Sequence, residues 1–339
     1  MIKSFLIHLS TNMWEDSAPE SLQHIDPEKL RATYPEHYMR MPVYWHMRLW
    51  SDTLKCEDDA WRRVTKHFAD CGGNQLIIDV GDGVKYHSHP EIAVAKAWSP
   101  RKFKDGLARC RDLGLEPIPK LNFSCCHDGW LHDYAHMVSS APYYRVCRDL
   151  IDECCELFGG PRFFHLGMDE ETYNDQASEG YVYKQVRADS LWWDDLNFYF
   201  DAVRRNGARP MMWSDKLWHC GEEAYTANVQ KDVVQCNWYY REVFDYGVFN
   251  DANPIPERLK GYGKYLATYD QLDRLGYDQL PTASNWAYKS NYEGTVKYCT
   301  KAISKQHLLG FMTAPWMSTD SLSEEFLIEA CDLVKAAHK

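Results

Sequence analysis

The stretch Phe163-Phe164-His165-Leu166-Gly167-Met168-Asp169-Glu170-Glu171 ends a short apolar run in three consecutive carboxylates. Side chains alternate along a strand, so His165, Gly167 and Asp169 share one face, and Glu170 falls where strand gives way to loop. Desolvating a carboxylate is costly unless it is paired or hydrogen-bonded. Neighbouring carboxylates also push their pKa values apart, which lets one donate a proton while the other stays charged. Acid–base chemistry by Asp169 and Glu170 is the functional reading of the segment. An acidic loop entry that caps the next helix is the structural one, and Glu171 suits that role.

The elements that must position this pair follow from periodicity. Candidate strands are Phe5–Leu9, Gln75–Val80, Glu116–Leu121, Phe163–Leu166, Pro210–Trp213, Val233–Cys236, Pro281–Ser284 and Leu308–Thr313. Helical spacing of apolar residues marks Asp58–Asp70, Pro100–Leu113, Tyr143–Phe158, Leu191–Asn206, Tyr292–Lys305 and Glu324–Ala337. Ser99-Pro100 reads as a cap followed by proline in the first turn, and Gly114 and Gly207 as helix stops. This alternation predicts a parallel sheet closed into a (β/α)8 TIM barrel, α/β in class, with residues 1–339 forming a single domain. An open doubly wound sheet is the second choice, but no Gly-x-Gly-x-x-Gly loop follows an early strand. Residues 12–57, rich in Pro, Tyr, Trp, His and Met, are expected as a long first βα loop over the catalytic face.

In such a barrel the strand C-termini build the site. Strands five to eight end in Trp213-Ser214-Asp215, Asn237-Trp238, Asn285-Trp286 and Pro315-Trp316. A core position is the ordinary explanation for any one tryptophan. Four at equivalent strand ends suit an aromatic box against the C–H faces of a pyranose, with Asp215, Asn237 and Asn285 bonding hydroxyls. A carbohydrate substrate is the expectation.

Composition narrows the alternatives. The 339 residues carry 38 Lys+Arg against 49 Asp+Glu, a net charge of −11, with no basic run to bind nucleic acid or an anionic membrane. No apolar stretch approaches the ~20 residues of a membrane span. The N-terminus reads as a first strand more than a signal peptide. Twelve scattered cysteines without zinc spacing fit reduced thiols and a cytoplasmic setting. A homo-oligomer is left open.

The fourth-strand segment His165-x-Gly167-x-Asp169-Glu170 resembles the His-x-Gly-Gly-Asp-Glu signature of glycoside hydrolase family 20, the β-N-acetylhexosaminidases. Further parallels in register are Asn74–Asp79, Glu116–Asn122, Trp213-Ser214-Asp215, Val234–Trp238 and Gly310–Trp316, so the likeness spans about residues 58–320. The resemblance implies Glu170 as general acid/base and Asp169 as the group that orients the substrate's 2-acetamido function during substrate-assisted, retaining cleavage. It also implies sugar contacts from His165, His127 and the strand-end residues, and a Glu170 pKa raised by Asp169 and an aromatic enclosure. The departures are Met168 for the second glycine, no arginine on strand one, Lys120 and Asn122 where acids are usual, and Met317-Ser318-Thr319 where an acid is expected. A different β-glycoside, or a sugar-binding barrel without turnover, is thus an alternative. So is a metal-dependent hydrolase using His87-x-His89 and His127-Asp128, although strands five, six and eight end in Trp and Asn rather than ligands. The main reading needs no metal or other cofactor.

Overall fold

The computed structural model describes residues 1–14, 47–178, 183–249 and 260–339. Its strands are β1 (Ile2–His8), β2 (Gln75–Asp79), β3 (Glu116–Lys120), β4 (Phe163–His165), β5 (Arg209–Trp213), β6 (Val234–Cys236), β7 (Thr282–Ala283) and β8 (Gly310–Thr313). All pairings are parallel, in the order β6-β5-β4-β3-β2-β1-β8-β7. The two edges meet through parallel bridges Gln235–Gln279 and Trp238–Thr282. There the Leu280 N–H donates to Gln235 O and the Thr282 N–H to Asn237 O, each at 2.9 Å. The sheet therefore closes, and the protein is a (β/α)8 barrel.

Around it run α1 (Asp58–Asp70), α2 (Pro100–Asp112), α3 (Ala141–Leu157), α4 (Tyr173–Ser178), α5 (Asp189–Arg205), α6 (Glu222–Asn228), α7 (Gly263–Arg274), α8 (Asn291–Ala302) and α9 (Glu324–Ala337). Ser99 caps α2 by accepting the Lys102 N–H at 3.2 Å, and Gly114 ends the turn beyond it at φ +79°, a region costly for a side-chain-bearing residue. The sequence reading does not anticipate α4, α6 or α7. A signal for α7 is present, because Leu266, Tyr269 and Leu272 are buried at three-residue spacing. β1 begins at Ile2 rather than Phe5, since Lys3 and Ser4 pair through backbone with Phe311 and Gln75, which polar side chains do not prevent.

Strand alternation divides the core in two. Phe5, Ile7, Leu76, Ile78, Phe164 and Leu166 pack outward against the helices. Leu6, Ile77, Ile118, Phe163, Met211, Val234 and Met312 fill the barrel interior. The next inward layer toward the strand C-termini is polar: His8, Asp79, Lys120 and His165, all buried. Lys120 bonds Asp79, and burial together with the Lys120 charge lowers the His8 pKa to about 3.

Most of the expected 12–57 loop lies outside the described residues, but both its ends are seen. Asn12 Nδ2 donates to Ser51 O at 2.7 Å and to Asp82 Oδ2 at 2.7 Å, and the Ser51 N–H returns to Asn12 Oδ1 at 2.9 Å. Met13, Trp14 and Met47 pack together against Trp316 at the C-terminal rim. Among the described residues no helix is long and apolar enough to cross a membrane, and none of the twelve cysteines is bonded to another.

Candidate active site

The chain turns sharply where β4 ends. Gly167 has φ +71°, and a Cβ there would lie 1.9 Å from Asn122 Oδ1, so only glycine fits. Asn122 uses that closeness. Its Oδ1 accepts the Met168 and Ser124 N–H groups at 3.1 Å each, while its Nδ2 donates to Asp169 Oδ1 at 2.8 Å. Met168 and Glu170 also take positive φ, +74° and +55°. Each such residue costs about 1–3 kcal/mol and persists only where surroundings enforce it. Here the Glu170 N–H donates to Asp215 Oδ2 at 2.8 Å, Ser124 Oγ to Asp169 O at 2.5 Å and Cys126 Sγ to Glu170 O at 2.8 Å. Met168 thus stands in a backbone state natural to the glycine of the resembling family's motif.

Glu171 fixes the loop from behind rather than capping a helix. Its carboxylate accepts the Cys125 N–H at 3.1 Å and two bonds from Arg187, Nε at 2.8 Å and Nη2 at 2.6 Å. Arg187 also donates to Asp195 Oδ2 and Tyr199 Oη, both at 3.0 Å, and to Phe123 O at 2.7 Å. The five N–H groups of the guanidinium are all used. Burial alone would raise the Glu171 pKa, but Arg187 overrides it and holds the group below the ordinary range.

Above this turn opens a cavity of about 310 Å³ lined by Asp169 and Glu170 together with Trp213, Trp238, Trp286 and Trp316. Trp213 and Trp316 lie 5.9 Å apart, centroid to centroid, and Trp238 stacks on Tyr240 at 5.1 Å. Trp316 Nε1 donates to Tyr240 Oη at 3.2 Å, which ties the two halves of the aromatic wall together.

His127 closes the acidic side. Its Nε2 lies 3.2 Å from Glu170 Oε2 and 3.4 Å from Asp169 Oδ2. Burial works against a charged imidazole, yet the two carboxylates win and raise the His127 pKa. For Glu170, burial pushes the pKa up, while the His127 bond, the His127 charge and Arg48 bring it below the ordinary value. The structure therefore contradicts the expected raised pKa of Glu170. The two shifts oppose each other, the His127 pKa raised and the Glu170 pKa lowered, so the pair favours a proton on the imidazole over one on the carboxyl.

Four of the residues read as sugar contacts do not line the cavity. His165 points inward but one layer too deep. It is 0% exposed under Trp213, ring centroids 4.5 Å apart, with Nδ1 accepting the Gly167 N–H at 3.0 Å. Asp215 is spent on the Glu170 backbone, and burial, then Asp169, raises its pKa well above the carboxylate range. Asn237 accepts from Trp218 Nε1 at 3.2 Å and donates to Tyr265 O at 2.9 Å. Asn285 donates to Phe326 O at 3.2 Å and Glu329 Oε2 at 3.1 Å, toward α9. Asn237 and Asn285 each stand one residue from a tryptophan that lines the cavity, Trp238 and Trp286, so the alternation turns them into the wall, whereas Asp215 follows inward-facing Trp213 by two and is turned away where the chain leaves β5.

The cavity also has linings the sequence reading did not propose as site residues, among them Trp14, Arg48, Asn122, Tyr240, Arg241 and Tyr265. Two were accessible in principle. Asn122 continues the inward series Ile118, Lys120, and Tyr240 stands two residues beyond Trp238. Trp14 and Arg48 come from the ends of the 12–57 segment, where Arg48 lies 5.6 Å over the Trp14 ring.

The ligands of the metal alternative are split. His89 pairs with Glu91 at 2.9 Å and Asp149 at 3.2 Å, and His87 lines a separate cleft with Glu153. Donor atoms of His127, Asp169 and Glu170 do lie within 4.8 Å of one another, an arrangement that their mutual ion pairing also produces.

No family model matches the chain. Bovine Hexosaminidase D is 24% identical over 216 residues, a match spanning 58% of this chain and 61% of that protein. Among solved structures, a GH20 exo-β-N-acetylglucosaminidase from Vibrio harveyi superposes with a TM-score of 0.56 at 15% identity, covering 83% of this chain and 52% of that one. Dispersin B gives 0.55 at 13%, covering 84% and 95%. The GH20 β-N-acetylhexosaminidase of Streptomyces coelicolor gives 0.56 at 12%, covering 97% and 63%. In fold, the chain is similar to the (β/α)8 barrels of these glycoside hydrolase family 20 enzymes.

Proposed function

We propose that this protein is a retaining glycosidase that removes terminal β-linked N-acetylhexosamine of the GlcNAc or GalNAc type with the substrate's own acetamido group as nucleophile. One observation carries the reading. Among the described lining residues the carboxylates are Asp169 and Glu170 alone, adjacent in the chain. A two-carboxylate retaining site sets its nucleophile across the sugar, about 5–5.5 Å from the acid. Among the described residues no other acidic side chain lines the cavity, so the attacking oxygen is assigned to the substrate.

In this reading Glu170 gives the pair's proton to the glycosidic oxygen as the C1–O bond breaks, and the acetamido oxygen bonds to C1. Asp169, held by Asn122, accepts the acetamido N–H and stabilises the oxazolinium ion. Glu170 then takes a proton from the water that attacks C1, which opens the ring with net retention. Trp213, Trp238, Trp286 and Trp316 wall the sugar, and His127 shuttles and steadies the acid's proton. The whole chain is read as one catalytic barrel, with Met13, Trp14 and Arg48, from the two ends of the 12–57 segment, lining the site. A cytoplasmic setting, where thiols stay reduced, fits the twelve unpaired cysteines.

Paired aryl glycosides test the substrate. The β-N-acetylglucosaminide or β-N-acetylgalactosaminide is turned over while its 2-hydroxy counterpart is not. Preference for the 2-hydroxy sugar removes substrate assistance, and loss of activity on chelation with recovery on added metal establishes the metal-dependent alternative.

The proton pair makes a second expectation. Because His127 is raised and Glu170 lowered, the pair stays singly protonated from below the ordinary Glu value to above the ordinary His value, about 4.3 and 6.5. Activity in kcat/KM is retained across that window and falls as pH rises through the raised His127 pKa. In His127→Gln the proton must be held by Glu170 itself, and the alkaline limb moves to lower pH. A pH profile whose limb does not move argues that His127 takes no part in the titration.

A further inference from the structure

On the outer face of the barrel, far from the strand C-termini in function, α1 and α9 bring together an imidazole, a thiol and a carboxylate. His67 Nε2 lies 2.8 Å from Asp332 Oδ1, and Cys71 Sγ donates to the same oxygen at 3.7 Å. All three donor atoms lie within 4.8 Å of one another. His67 and Cys71 are four residues apart, on one face of α1 at its C-terminal end, while Asp332 comes from the last helix of the barrel. We propose that His67, Cys71 and Asp332 form a zinc site that ties the first helix of the barrel to its last.

The geometry suits the ion. At Zn–N and Zn–O lengths near 2.0–2.2 Å and Zn–S near 2.3 Å, tetrahedral ligand atoms stand about 3.3–3.6 Å apart. The Cys71–Asp332 spacing already matches. The His67–Asp332 spacing needs to open by only about half an ångström, which two side chains with partial exposure, 35% and 60%, can provide without moving the helices. A nitrogen–sulfur–oxygen donor set favours zinc over magnesium or calcium, which take oxygen alone. With three protein ligands the fourth position faces solvent and holds water. Binding releases the thiol proton, because the ligand is the thiolate. An ion pair between His67 and Asp332 explains two of the three groups; it leaves the convergence of the Cys71 thiol on the same oxygen without a purpose. The packing of α1 on α9 closes the ring of helices where the chain's two ends meet. A metal there stabilises the folded barrel by mass action and leaves the catalytic residues untouched.

Cadmium reports the thiolate directly. Metal-free full-length protein titrated with Cd²⁺ is expected to develop an ultraviolet sulfur-to-metal charge-transfer band saturating at one equivalent. Stoichiometric Zn²⁺ should suppress that band and raise the melting temperature. Loss of an outer-sphere partner already costs about 10- to 100-fold in metal affinity, so Cys71→Ser and His67→Gln should each weaken binding by at least that factor. Both keep the fold, which circular dichroism checks, and both leave turnover of the aryl glycosides unchanged. Cys56 and Cys220, the partly exposed thiols, serve as controls, and their serine variants should retain the band. A band absent from the wild-type protein, or one that survives in Cys71→Ser, overturns the site. So does a zinc-induced rise in melting temperature that is undiminished in His67→Gln.

Discussion

Glu170→Gln lowers turnover of a β-N-acetylhexosaminide with a poor leaving group by about 10²- to 10⁴-fold, the usual contribution of a positioned general acid. The amide keeps the size of the carboxyl and accepts the positive φ of +55° already imposed on the position, so the fold and substrate binding persist and KM changes little. The loss shrinks on an activated aryl leaving group, which departs without full protonation. Steady-state kinetics on an alkyl and a nitrophenyl glycoside separate the two cases. Asp169→Asn gives the contrasting pattern under the same proposal. Asn122 holds Asp169 in place by a 2.8 Å bond, and an amide there cannot stabilise the developing oxazolinium charge, so activity falls with both leaving groups. Equal loss on both leaving groups in Glu170→Gln argues that Glu170 is not the proton donor.

The largest structural effect is expected at Arg187. Its five donated bonds join the loop after β4, through Glu171, to the loop after β3, through Phe123, and to α5, through Asp195 and Tyr199. Arg187→Met keeps the apolar bulk and removes the charge, leaving the Glu171 and Asp195 carboxylates buried without their partner. Breaking a buried pair in this way costs about 3–5 kcal/mol. Domains are stable by only about 5–15 kcal/mol in total, so the variant sits near the threshold of folding. Urea denaturation measures the change, and the double variant Arg187→Met with Glu171→Gln recovers part of it, because one uncompensated charge is gone. A loss below about 1 kcal/mol, the range of an exposed pair, shows that the network is solvated in solution.

What the sequence reveals and what it hides divide along physical lines. Backbone alternation and helix spacing are local, so the eight strands and the larger helices are legible from neighbouring residues. The four tryptophans are legible for the same reason, since each stands at or just past the end of its strand. The destinations of Asp215, Asn237 and Asn285 are not. Whether a polar residue at a strand end reaches the cavity or the wall depends on one step of register, and a strand of two residues such as β7 gives no pattern from which to count it. His165 shows the complementary failure: its face is correctly read as inward, but depth along the barrel axis is set by stagger between strands, which spacing within one strand does not encode. The proton balance of Glu170 escapes for a third reason. It depends on His127, 43 residues away in the chain, brought alongside only by the closure of the β3 and β4 loops. Trp14 and Arg48 illustrate the reverse, because a segment without periodicity still supplies walls when its ends are anchored.

That anchoring has an entropic consequence. The mutual amide bonds of Asn12 and Ser51, with Asp82 beneath them, join the residues after β1 to those leading into α1. Once such a junction is fixed, the entropy of closing a loop grows only with the logarithm of its length, so doubling the segment adds only about 0.6 kcal/mol. Changing the number of residues between Asn12 and Ser51 is therefore cheap in closure entropy, while the pairing of β1 with β2 beneath the junction keeps its register.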